Sequence, residues 1–270
     1  MTTFTTRTIS GAVYAILVIG AILGGTISTS FLSVIFLFLS LSEYRDLVRK
    51  DNSILPELPL YGLNVLIMVL ALMAVYGIII YDYLLLLIIP ILIVFLIPVI
   101  SRQINSLDHL GDYLISIFYI SIPLSLINFI DRFNGNAKFN VILLGIFVII
   151  WLNDTFAYFS GSLFGKHKLN KEISPKKTWE GSLGGFVFSI GGAIVLEMLF
   201  GVMSLWQWIG FAIILVITGT FGDLFESTLK RRAGVKESGN LIPGHGGILD
   251  RIDSILLAIP VVFIYLILVL

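Results

Sequence analysis

Four aspartates stand at or inside apolar stretches of a chain that has little other polarity. Asp154 follows Asn153 near the end of one stretch, Asp223 lies within another, and Asp250 and Asp253 open the stretch that runs to Leu270. An ionised carboxylate near hydrocarbon is costly unless it is paired or bound, so such residues usually have work to do. Two arrangements would stabilise the four. They can pair with nearby Lys and Arg, or they can bind divalent cations. The chain has no Cys, and an all-oxygen ligand set suits Mg²⁺ or Mn²⁺. Bases lie close by in sequence. Ser227, Lys230 and Arg231 stand at i, i+3 and i+4, on one face of a helix. Glu226 is one turn from Lys230, close enough for an internal ion pair, and Lys236 follows. The run "PGHGGILDRIDS", residues 243–254, then sets His245 among Gly244, Gly246 and Gly247. Glycines of that kind let backbone amides approach a ligand closely, as phosphate loops do. Asp250 and Asp253 share a helix face, with Arg251 between them in sequence. Metal and Lys/Arg together neutralise a phosphate group in transfer, so the set points to metal-assisted phosphoryl chemistry.

A second polar block spans residues 151–185. In "ISPKKTWEG" the types predict a helix start, with Ser174 as cap and Pro175 at the first helical position. Lys176 and Lys177 would then lie at a helix N-terminus, which is an anion site. Read otherwise, two interface lysines touch anionic headgroups. Gly181 and Gly185 have the spacing of close helix packing.

These groups need scaffolding, and composition says what kind. Of the 270 residues 57% are hydrophobic and 13% charged, with a mean hydropathy of +1.02. Soluble domains carry roughly 25% charged residues. The expectation is an all-α polytopic membrane protein, since open sheets cannot span lipid. A span needs about 20 apolar residues. Nine segments qualify or nearly do: 10–26, 29–42, 60–80, 83–100, 112–130, 139–160, 181–202, 206–225 and 252–270. The joint at Tyr81-Asp82-Tyr83 is tight, and the first segment reads as a retained span rather than a cleaved signal. Sorting Lys and Arg by these nine spans leaves only Arg132 and Lys138 on one side. By the positive-inside rule the N-terminus and loops 161–180 and 226–251 are cytoplasmic, and the C-terminus is outside. The chain divides into N-terminal spans, 1–135, and a C-terminal catalytic region, 136–270.

The spacing Ser227-x-x-Lys230-Arg231, then Lys236, then Pro243-x-His245-Gly246-Gly247-Ile248-x-Asp250-Arg251-Ile252-Asp253, resembles the signature of the CDP-diacylglycerol synthases, or phosphatidate cytidylyltransferases. The block "NDTFAYFSGSLFG…SPKKTWEGSLGG" is similar to a second stretch of that family. The resemblance is motif-level from Trp151 on and generic before it. Glu237 stands where the family has Asp, which puts a ligand role for it in doubt.

The resemblance implies transfer of a cytidylyl group from CTP to phosphatidate, giving CDP-diacylglycerol and pyrophosphate, at the cytoplasmic side of the cell membrane. It implies one or two Mg²⁺ ions on Asp223, Asp250 and Asp154, with Asp253 on the ion or one bond removed, and leaves room for a monovalent cation. Lys230, Arg231 and Lys236 would bind phosphates, aided by Lys176, Lys177, Arg251 and the amides at Gly246 and Gly247. Ser227 would be a ligand or a cap, and His245 would position a phosphate or assist the leaving pyrophosphate. A homodimer follows from the resemblance alone, and no nucleic acid is expected as a partner. Two other readings use the same residues: an anion transporter, and another metal-dependent lipid phosphoryl-transfer enzyme.

Overall fold

Backbone groups facing lipid must satisfy one another, so long apolar segments become helices. A computed structural model describes residues 3–50, 57–79, 88–101, 109–135, 137–170 and 172–270. Nine helical rods run through them. They are α1 (Thr3–Leu23), α2 (Thr26–Lys50), α3 (Glu57–Val75), α4 (Ile88–Ser101), α5 (Leu110–Ile127), α6 (Val141–Phe164), α7 (Trp179–Phe200), α8 (Leu205–Arg232) and α9 (Leu249–Val269). Among the described residues, seven helices are long and apolar enough to cross a membrane: α2, α3 and α5 to α9. The first and fourth predicted segments fall on shorter apolar stretches, Thr8–Leu23 and Ile88–Ser101. The joint at 81–83 and the loop at Arg102 lie outside the described residues. The protein is thus an all-α, multi-pass membrane protein.

Two local differences from expectation matter for the site. First, α8 runs on to Arg232, so the helix face expected for Ser227, Lys230 and Arg231 is present and the polar loop, expected from 226, begins only at Ala233. Second, Ser174 and Pro175 do not start a helix. Ser174–Thr178 is a strand, β2, paired antiparallel with β1, Lys168–Asn170. The Asn170 side chain accepts from the amides of Glu172 and Ile173 at 3.1 and 3.0 Å, folding the turn between them. The helix starts at Trp179 instead. Thr178 has extended backbone and its hydroxyl accepts from the Gly181 amide at 3.1 Å. Lys176 and Lys177 are therefore neighbours on a strand, where side chains alternate faces.

The packing that carries the site is polar as well as apolar. Tyr119 lies in a π-helical stretch of α5, Ser116–Ser121, and its hydroxyl lies 3.4 Å from the Gly222 carbonyl and 3.3 Å from the Asp253 carbonyl. It thereby ties α5 to α8 and α9. Asn64 of α3 donates to the Ser116 hydroxyl at 2.9 Å, and Ser121 returns a bond to the Asn64 carbonyl at 2.9 Å. Helices α6 and α7 approach closely along the predicted glycine face. A Cβ at Gly185 would lie 2.6 Å from the Asn153 carbonyl oxygen, whereas one at Gly191 would meet nothing within 4 Å.

That contrast is testable. Gly185→Val should lower the melting temperature in detergent, with a loss of about 1–3 kcal/mol from overpacking. Gly191→Ala on the same helix should leave it unchanged or slightly higher. Equal effects from the two would refute close α6–α7 packing.

Candidate active site

Helices α8 and α9 lie side by side, and their facing ends carry the acids. Asp223 and Glu226 stand on α8 at i, i+3, and Asp253 stands on α9. One carboxylate oxygen from each lies within 4.8 Å of the others. Glu226 is fully buried, and its Oε1 has no hydrogen-bond partner among the described residues. Asp253 is buried too, and its Oδ1 accepts from the Ser254 amide at 2.6 Å.

Two lysines answer this charge. Lys230, one turn beyond Glu226, is ion-paired with it, and reaches Asp250 Oδ1 at 2.6 Å across the helix pair. Lys177 comes from outside the pair, on β2, and is ion-paired with Asp223. Burial pulls the Lys177 pKa below its ordinary value, while Asp154 and Asp253 pull it upward. Direct contact with Asp223 argues that this lysine stays charged, because removing it would leave a half-buried carboxylate uncompensated.

Asp250 is engaged differently from the other acids. Its Oδ1 takes Lys230, and its Oδ2 accepts from the Gly247 amide at 2.8 Å and from the Ser238 amide at 2.9 Å. It thus holds the glycine turn onto the start of α9. The turn itself is closed by Ile242 and Gly246, whose amide and carbonyl pair at 2.9 Å. Gly246 has φ +83° and sits against Asp250 Oδ2, so a side chain there would be both strained and obstructed.

The remaining predicted residues fall into two groups. Asp154, His245, Asp250, Arg251 and Asp253 line one small polar cavity of about 120 Å³. In it the Arg251 guanidinium donates to the His245 carbonyl at 2.9 Å, while its Nε is buried with no hydrogen-bond partner among the described residues. Ser227 is buried in α8. By contrast Arg231, Lys236, Glu237 and Lys176 are exposed, and Arg231 donates to the Val235 carbonyl just past the end of α8 at 2.8 Å.

Several contributors carried no signal in the sequence. Glu226 reads there as half of a local ion pair. Ser10 and Tyr14 of α1 lie among generic apolar residues, yet Ser10 Oγ is 3.1 Å from His245 Nδ1 and Tyr14 lines the polar cavity. Glu43 of α2 and Ser238 reach the same turn. A polar residue inside an apolar helix was the one available hint, and "AILGGTISTSFLSV" offers many such residues.

The family model of cytidylyltransferases matches residues 5–269. The chain belongs to the cytidylyltransferase family. Relatives include proteins named phosphatidate cytidylyltransferase from Staphylococcus aureus (strain COL) and Staphylococcus haemolyticus (strain JCSC1435), each 48% identical over 128 residues, which is 46% of this chain and 48% of theirs. A Staphylococcus epidermidis protein of the same name is 48% identical over 126 residues. The alignment spans about half the length of these curated relatives. In this member of the family the acids are drawn from α6, α8 and α9, and the bases from β2, α8 and α9.

Removing Lys230 should expose how much of this order is electrostatic. Lys230→Met leaves buried Glu226 and Asp250 short of their shared cation and should cost about 3–5 kcal/mol. Adding Glu226→Gln should return part of it. Thermal unfolding in detergent reads both, and a Lys230→Met protein as stable as the wild type would mean the ion pairs do not hold α8 to α9.

Proposed function

We propose that this protein transfers a cytidylyl group from CTP to phosphatidate, releasing pyrophosphate and leaving CDP-diacylglycerol in the membrane. The carrying observation is a shared wall. The polar cavity at the α9 N-terminus has Ser10, Tyr14 and Ile242 in common with an apolar groove of about 680 Å³ between α1 and α2. A lipid phosphate requires that pairing of chemistries, with acyl chains in the groove and the headgroup in the polar cavity. The family match and the relatives' printed name support the same reading.

In the reaction a phosphate oxygen of phosphatidate attacks the α-phosphorus of CTP. The new P–O bond forms as the bond to the β-phosphate oxygen breaks, and pyrophosphate departs with the electron pair. A phosphate monoester is already ionised near neutral pH, so no strong general base is needed. The task is to bring two anions together and hold them in line. Asp223, Glu226 and Asp253 would hold a divalent cation: all are oxygen donors, and the buried, unpartnered Glu226 Oε1 fits such a ligand. Bound Mg²⁺ would neutralise phosphate charge during transfer. Lys177, Lys230 and Arg251 supply positive charge beside that position, and the buried Arg251 Nε is available to an anion. Asp250 keeps the glycine turn in place for phosphate oxygens, with His245 beside it. Arg231, Lys236 and Lys176 act as an exposed basic rim that attracts nucleotide.

Sidedness follows from charge. The ends of α1, α2, α6, α7, α8 and α9 that meet at the site belong to the Lys- and Arg-rich side, so the site faces the cytoplasm of a bacterial-type cell membrane, where CTP is. The resemblance adds a homodimer as the working oligomeric state.

Purified protein in detergent with phosphatidate and Mg²⁺ should release pyrophosphate with CTP; silence with every nucleoside triphosphate would rule the activity out. Asp253→Asn should lower kcat about 100-fold or more, the scale of weakening the cation that neutralises the transferring group, and should alter the Mg²⁺ dependence. Full activity in that variant removes the metal role of Asp253.

Val13 lines the groove but not the polar cavity. Val13→Trp should therefore raise KM for phosphatidate and leave KM for CTP alone. Equal changes in both, or none, would detach the groove from lipid binding.

A further inference from the structure

Glu43, near the end of α2, is an acid that the reaction as written does not use. It is buried, and among the described residues no base pairs with it. Its neighbour Arg45 is turned to Asp46 at 2.9 Å and to Glu57 at 3.6 Å. The Glu43 carboxylate is instead surrounded by donors from the far end of the chain. Oε1 accepts from the Ile248 amide at 2.8 Å, and Oε2 from the Leu249 amide at 2.9 Å. Those amides open α9, where N–H groups lack intrahelical partners and negative charge is favoured. Oε2 also accepts from the Ser238 hydroxyl at 2.8 Å. That hydroxyl stands 2.9 Å from Asp250 Oδ2, and the Ser238 amide donates to the same oxygen. A continuous line of contacts thus runs Glu43, Ser238, Asp250, Lys230, Glu226, and it ends in the acid cluster.

The loop is shaped around this acid. A Cβ at Gly239 would lie 2.9 Å from Glu43 Oε1, and a Cβ at Gly247 would overlap Oε2. Both positions flank the carboxylate, and neither needs a positive φ. Close approach of the acid explains why both are glycine.

We infer that Glu43 is a positioning residue for the transfer reaction: from α2 it fixes the loop 238–249, so that Asp250 and Lys230 are presented to the acid cluster. The inference rests on cytidylyl transfer as the activity. Its action is indirect, through the loop, and the shape of its kinetic effect follows from that. Loss of Glu43 should weaken the alignment of the reacting groups more than the capture of either substrate.

Glu43→Gln keeps the shape but turns one acceptor oxygen into an amide that faces an N–H or a hydroxyl. It should elute as the wild type does and lower kcat for pyrophosphate release about 10- to 100-fold, as removal of an outer supporting partner does. KM for CTP and for phosphatidate should change by less than about 3-fold on the same reasoning. Glu43→Asp, with both acceptors, should recover part of the loss. Amide hydrogen exchange over residues 238–250 should quicken in Glu43→Gln while α6 and α7 stay as protected as before. Wild-type kcat in Glu43→Gln overturns the inference, and so does a loss of kcat with unchanged loop exchange. Should Glu43→Gln fail to fold, Ser238→Ala cuts the same line from the loop side. It should show the same fall in kcat and the same faster exchange, and wild-type kinetics there overturn the inference equally. Silence of the wild-type enzyme would instead sink the activity, and the exchange comparison would still report whether Glu43 holds the loop.

Discussion

Acid crowding at the junction of α8 and α9 sets the terms for everything around it. Three carboxylates lie within reach of one point, and a fourth, Asp250, stands on the next turn. In a low-dielectric setting such a group repels itself unless cations are held among its members. Lys230 meets that demand from within the helix pair and Lys177 from β2. Neither lysine can be spared or moved, so the hairpin that carries Lys177 and the turn that orients Asp250 become part of the same object. The crowding therefore reaches beyond the helix pair, because the cations that offset it are held by separate elements.

The supporting structure solves a problem of aim. A strand presents successive side chains to opposite faces, so β2 can send Lys177 inward while Lys176 stays in water. A helix start at Ser174 would have put both lysines on one turn and neither at Asp223. On the other side, Tyr119 in its π-helical stretch lies beside carbonyls of α8 and α9 at the level of the acids. Wide helical turns of this kind are frequent at functional sites because they re-aim a side chain. Here the hydroxyl bridges two helices whose acids would otherwise push them apart.

Much of this is written in local pattern. Uninterrupted apolar runs give the helices, and the Gly181-xxx-Gly185 spacing gives the α6–α7 approach. Intramembrane Asp223 and Asp253 stand out because their surroundings make them anomalous. What local pattern lacks is the partner. Glu226 looks satisfied by Lys230 in sequence, and only the fold adds Asp223 and Asp253 beside it. Ser174-Pro175 is a sound helix start by propensity, but pairing with Lys168–Asn170 and the Asn170 turn override it. Ser10 and Glu43 are ordinary residues near helix ends until α9 is packed against them. Asp250 is legible as an acid at the start of α9, but its four close donors, from Lys230, Ser238 and Gly247, belong to the fold, and spacing cannot count donors.

The contacts that complete the site join very distant parts of the chain. Glu43 and Leu249 are 206 positions apart, and Ser10 and Pro243 are 233 apart. Chains are made and packed from the N-terminal end, and non-local contacts form only after the intervening segment is in place. Helices α1 and α2 are therefore present long before the loop and helix they receive. Until α9 arrives, Glu43 has no amides to bind, Lys230 has only Glu226, and Asp223 and Glu226 face no third acid. A nascent chain in this condition holds an incomplete charge cluster. Synthesis order thus leaves the cluster to be completed last: Asp253, the partners of Glu43 and the second partner of Lys230 all arrive with α9 and the loop before it.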